Sequence, residues 1–322
     1  MVTYLVLRPA FAASVPAEVQ TAGARRGLDA RRRGRARSAR VTARAAVAAR
    51  LARMIDVALL AAAFGAVLLV LLQLALLADL RGTGVTASVL TGLLTTHAGQ
   101  AYLARIPLLA ALAIVLRGRV AELALRGAGD GAPSPPAFWL RSWLALAGAL
   151  LATVSIAGHA VTAPAAALVV LSDLVHLAAG AVWISGVAVL ALVLPAARRA
   201  QRAEEHAAVI THAVRTFSRL AVVAIGLVVG TGLLNGVADV GAPADLRFTG
   251  YGQALLVKLW VFLWVLGLGA FNHVILRRRL ERTGEDPRRV QRVLAKTVSA
   301  ELAFGVLVFA ATALLVGLPK TR

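Results

Sequence analysis

Seven separate apolar runs, each close to membrane length, constrain this chain more than any other feature. They fall at about 55 to 79, 102 to 117, 138 to 157, 166 to 194, 217 to 237, 253 to 276 and 297 to 318. A spanning helix needs about 20 predominantly apolar residues. Inside lipid every backbone N–H and C=O must be paired within the protein, which a helix does on its own. The expected fold class is therefore all-α, a polytopic transmembrane bundle of about seven helices. The second run is the shortest, so a span there relies on Tyr102 and Arg105 sitting near an interface.

The charges lie between the runs and give the bundle a direction. Segments 117 to 141, 195 to 219 and 277 to 296 carry 4, 5 and 8 Lys or Arg, whereas 79 to 105, 158 to 165, 237 to 251 and 319 to 322 carry 2, 0, 1 and 2. By the positive-inside rule the first set is cytoplasmic, with the N-terminus inside and the C-terminus outside. Residues 1 to 53 hold 12 of the 35 Lys and Arg and read as a basic, disordered cytoplasmic tail ahead of a membrane domain at 54 to 319. The net charge of +20 is thus explained by orientation in lipid, and no nucleic-acid partner is expected, because no basic face is interleaved with aromatics.

The chain has no cysteine and only Met1 and Met54 as methionines. Thiolate sites and sulfur-lined metal paths are excluded, leaving imidazole, carboxylate or backbone oxygen as metal ligands. No phosphate loop, nucleophile elbow or His-Glu-x-x-His helix is present, and His206 and His212 are six apart, so the chain does not read as an enzyme.

Chemistry concentrates between Ser155 and Leu194. Asp173 and His176 are three apart, so they share one face of a helix. His176 lies about 15 Å along that helix, near the midplane where transporter sites sit. Ionisable groups at that depth are costly and usually functional. The pair can bind a cation or relay a proton, or the aspartate can hold a neutral imidazole as a structural bond. His159, at the outer end of the preceding helix, is either the first ligand on the way in or a water-exposed interface residue. Trp183 and Asn235 are candidate pathway-lining residues, with Trp183 expected to pack beside His176. His97, in the outer loop before the second helix, and His273, near the inner end of the sixth, are weaker ligand candidates.

A motif occurs twice. Thr96 to Arg105 (THAGQAYLAR) matches Thr249 to Lys258 (TGYGQALLVK), each just before a helix running outside to inside. Gly99, Gln100 and Arg105 pair with Gly252, Gln253 and Lys258, as in two parallel copies of one unit.

Taken in order, the motifs Thr95 to Arg105, Gly158-His159-Ala160, Asp173 to Gly186 (DLVHLAAGAVWISG), Phe217 to Ala221, Thr231 to Asn235, Tyr251 to Lys258 and Leu318-Pro319 resemble the CopD family of bacterial copper-resistance membrane proteins. The resemblance spans about residues 55 to 319. It implies a multi-pass protein of the bacterial cytoplasmic membrane that moves copper inward from an extracytoplasmic donor, often a CopC-like partner, with lipid around it. Copper is then the transported ion, and His159, His176 and Asp173 are its expected ligands. The family usually has eight helices, so its first is expected to be replaced here by the Arg-rich tail. His97 stands where the family has arginine and Ser185 where it has glycine. Two other classes stay open: a haem-binding electron carrier with two axial histidines, and a membrane partner or sensor that binds copper without moving it.

Overall fold

The structure, a computed structural model, describes residues 26–125, 136–158, 165–198, 203–240, 244–276 and 287–316. Nine helices and one π-turn occur among these residues. They are α1 (Arg26–Leu80), α2 (Ala87–Thr95), α3 (His97–Leu125), α4 (Ala137–Ala157), α5 (Ala166–Arg198), α6 (Ala203–Asp239), α7 (Asp245–Phe248), α8 (Gly250–Phe271), the π-turn (Asn272–Leu276) and α9 (Pro287–Val316). No strand occurs among the described residues. Seven helical segments are long and apolar enough to cross a membrane: Ala52–Leu80, His97–Arg119, Ala137–Ala157, Ala166–Ala191, Val214–Val237, Gly250–Val274 and Arg292–Thr312. The all-α, seven-helix expectation holds, and the chain is a multi-pass membrane protein.

Helix ends differ from those read off hydropathy, for reasons of local chemistry. Residues 26–53, expected to be a disordered tail, are the start of α1. That stretch contains no proline and is dominated by Ala and Arg, two of the strongest helix formers, so charge alone does not unwind it. Residues 1–25 lie outside the described region. For the same reason α6 begins at Ala203 rather than near residue 217.

The second and sixth helices start earlier than expected because each carries a threonine N-cap. The Thr96 Oγ1 accepts the Gly99 N–H at 3.2 Å, and Thr249 Oγ1 accepts the Gly252 N–H at 3.0 Å. Each is the bond from cap side chain to third helical residue that ties off a free helix donor. In both places the next residue, a glutamine, reaches back to a carbonyl. Gln100 Nε2 donates to Leu94 C=O at 2.8 Å, and Gln253 Nε2 donates to Arg247 C=O at 3.0 Å. The intervening glycines are required by close approach. A Cβ on Gly99 would lie 2.0 Å from the Leu93 carbonyl oxygen, and one on Gly252 would lie 2.2 Å from that of Asp245. His97 is therefore the first residue of α3, not part of a loop.

Packing is most extensive between α5 and α6, then between α8 and α9 and between α3 and α4; α9 also lies against α5, and α4 and α1 close on α5 from the other side. Trp183, Val187, Leu190, Phe217, Val265, Leu294 and Val298 form the core where α5, α6, α8 and α9 meet. Gly186 makes the α5–α6 contact close: a Cβ there would fall 2.0 Å from Phe217 Cε2. Outward faces are apolar, with Phe64, Ile114, Val223, Leu233 and Trp260 exposed, as surfaces covered by lipid tails must be. At one end of the bundle Arg117 forks onto Asp56 Oδ1 at 3.1 and 3.2 Å and Trp139 Nε1 donates to Val115 C=O at 3.1 Å, tying α1, α3 and α4 together.

Candidate functional site

Asp173 and His176 project from the first third of α5 into a chain of polar groups drawn from α3, α4, α6 and α8. Ser155 Oγ, buried on α4, donates to Asp173 Oδ2 at 2.5 Å. Two residues earlier on α4, Thr153 receives Arg105 of α3: Nε donates to its Oγ1 at 2.9 Å and Nη2 to its carbonyl at 3.0 Å. The same guanidinium lies 5.0 Å from the Tyr102 ring centroid, a cation–π distance. Arg105, which the motif repeat singles out, is thus held against α4 rather than reaching for headgroups.

On the other side His176 Nδ1 lies 3.0 Å from Thr231 Oγ1 of α6, and Ser172 Oγ donates to the Thr231 carbonyl at 3.5 Å. The Thr231 hydroxyl points its own proton at the Leu227 carbonyl, 2.5 Å away. A hydroxyl has one proton, so its oxygen is left to accept, and His176 carries hydrogen on Nδ1. That tautomer leaves the Nε2 lone pair as the coordinating end, the arrangement by which an outer partner orients a metal-binding histidine. Close packing assists, since a Cβ on Gly232 would come within 3.2 Å of the imidazole. Lys258 of α8 stands near enough for its charge to act on His176. A cation held there feels both the Asp173 carboxylate and this ammonium.

Asn235 is one turn beyond Thr231 on α6, and its Oδ1 is buried with no hydrogen-bond partner. An unmet buried acceptor on that face is what a pathway-lining residue would offer. His159 lies outside the described residues. His97 is exposed at the first residue of α3. Among the described residues no group of three His, Asp or Glu side chains comes together, so Asp173 and His176 stand as a pair.

Trp183 is buried and packs on α9: its indole lies over Gly305, and Nε1 donates to Glu301 Oε1 at 3.4 Å. Glu301 Oε2 accepts from Asn272 Nδ2 at 3.0 Å, and Asn272 Oδ1 accepts from Thr297 Oγ1 at 2.5 Å. Next to Asn272 on the π-turn, His273 has a buried Nδ1 with no hydrogen-bond partner. Histidine spacing does not point to Glu301. Its sequence signal is nonetheless plain, an acidic residue inside a membrane-length apolar run.

Comparison with known proteins finds likeness over part of the chain. Residues 211–315, which carry Thr231, Asn235, Lys258, Asn272 and Glu301, match the family model of CopD, copper resistance protein D. The copper transport protein CutJ of Bacillus subtilis (strain 168) is 33% identical over 183 residues, which is 57% of this chain and 31% of that protein. The match therefore spans less than a third of that relative's length. No solved structure matches. The resemblance carried by the motifs from Phe217 to Lys258 is thus matched by the copper resistance protein D family model, over residues 211–315.

Proposed function

We propose that the chain moves copper ions across the bacterial cytoplasmic membrane, inward from an extracytoplasmic donor such as a CopC-like protein, and so contributes to copper homeostasis or resistance. Asp173 and His176 form the central station, and His159 is the first ligand on the way in. The observation that carries this reading is the 3.0 Å His176–Thr231 bond, which holds the imidazole on the same helix face as Asp173, and with hydrogen on Nδ1 the ring offers Nε2 to a metal. The CopD segment and the copper transport relative support copper as the cargo. Imidazole suits copper, and a site of one imidazole and one carboxylate, with Lys258 nearby and no thiolate, is suited to passing the ion on rather than storing it.

The loop charges support an N-terminus inside and a C-terminus outside. Twin Thr-x-x-Gly-Gln caps, bonded alike at α3 and α8, support two copies of one unit set in the same orientation. Haem carried between His176 and His273 is disfavoured by separation. Lys258 acts on His176, and His273 lies fifteen residues further along α8 and the π-turn, about 22 Å at the helical rise, far more than the two faces of one iron.

Copper titration of the purified chain tests the station. Wild type binds copper, His176→Ala loses that binding, Asp173→Asn weakens it, and no Soret band accompanies the protein. Unchanged affinity in His176→Ala, or a Soret band that His176→Ala removes, overturns the reading.

A further inference from the structure

We propose that Glu301 is a proton-carrying carboxyl that releases its proton as copper loads at Asp173 and His176, which couples copper movement to a proton gradient. The proposal rests on the copper-transport reading above and adds the coupling ion to it.

Glu301 sits mid-way along α9 and is 5% exposed. Groups on two other elements hold it: Trp183 of α5 donates to one carboxyl oxygen and Asn272 of the π-turn to the other. Asn272 is fixed in turn by Thr297. The π-turn follows directly on α8, and π-helical turns occur often at functional sites. Both Glu301 oxygens already face N–H groups, and the Asn272 oxygen faces a hydroxyl. A sodium ion would have to displace both donors, whereas a proton on Oε1 gives up only the longer bond, that from Trp183 at 3.4 Å, and keeps the one from Asn272 at 3.0 Å. The elements packed on α9 carry Asp173 and His176 on α5, Lys258 on α8 and His273 on the π-turn, with Arg292 and Lys296 exposed on α9 itself. The hydrogen bonds to the carboxyl come from Trp183 and Asn272. Were the role only structural, an uncharged acceptor would serve, and glutamine supplies one.

Coupling follows from the shared helix. His176 and Trp183 are seven residues apart on α5, about 10 Å of rise. For a charge separation of about 10 Å, at an effective dielectric of about 20, an arriving positive charge favours proton release from Glu301 roughly tenfold. Release breaks the carboxyl O–H bond, leaves the electron pair on oxygen and passes the proton to water. The bond is remade once copper has left, and no electron moves.

The test uses the full chain in lipid vesicles with an internal pH dye, together with infrared spectra of its carboxyl C=O band. Wild type shows copper uptake accompanied by a proton signal. Glu301→Gln still binds copper and exchanges it across the membrane, but loses at least nine-tenths of the proton signal; Glu301→Asp restores part of it. Copper addition alters a carboxyl band that Glu301→Gln lacks. Uptake without proton movement, a Glu301→Gln proton signal equal to wild type, or a band indifferent to copper overturns the proposal. If uptake fails while copper still alters the Glu301 band, the transport reading falls and proton exchange at Glu301 stands.

Discussion

Replacing Thr231 by valine is the most informative single change at the metal station. Valine keeps the shape of threonine and removes the oxygen that faces His176 Nδ1 at 3.0 Å. The bond from the threonine hydroxyl to Leu227 is within one helix, so its loss leaves a carbonyl that the helix still satisfies. The cost falls on the half-buried imidazole, whose Nδ1 loses its 3.0 Å hydroxyl partner, a penalty of about 1–3 kcal/mol for a polar group left short of a bond. Loss of an outer partner to a metal-binding histidine typically lowers affinity about 10–100-fold, or about 1.4–2.8 kcal/mol, which agrees. Copper titration of the detergent-purified variants measures it, with Thr231→Ser as the conservative control. Thr231→Val should bind copper at least tenfold more weakly than wild type, and Thr231→Ser close to wild type. If Thr231→Val titrates like wild type while His176→Ala abolishes binding, Thr231 does not orient the ligand and the tautomer argument is wrong.

Three further outcomes follow from the packing and charge. Gly186→Ala should lower the thermal midpoint, because its Cβ would lie 2.0 Å from Phe217 Cε2 and overpacking costs about 1–3 kcal/mol; a midpoint equal to wild type would mean the α5–α6 contact is looser than described. Gly252→Ala and Gly99→Ala meet backbone oxygens that cannot swing aside, so in a thermal melt both should destabilise more than Gly148→Ala, where the added carbon meets open space. Lys258→Gln should tighten copper binding several-fold, since it removes a like charge that acts on His176; weaker binding in that variant would show that the lysine supports the site.

The spanning helices were legible because lipid imposes a length and an apolar surface that hydropathy reads directly. Their ends were less so, since Thr96 and Thr249 set the start of α3 and α8 through side-chain caps that carry no hydropathy signal. Asp173 and His176 could be paired from spacing alone, as helical period places i and i+3 together. Their partners could not. Ser155, Thr231 and Lys258 come from three other helices, and only packing decides which face of each helix turns inward. Trp183 shows the limit of same-face reasoning: the i+7 position shares a stripe with His176, but two turns along that stripe the neighbour is α9 and its Glu301.

Copper uptake into vesicles loaded with the full chain tests the central claim most directly. The account predicts inward copper movement by wild type, lost to background in His176→Ala and reduced in Asp173→Asn. Copper bound by wild type without uptake, or uptake by His176→Ala at the wild-type rate, would contradict it.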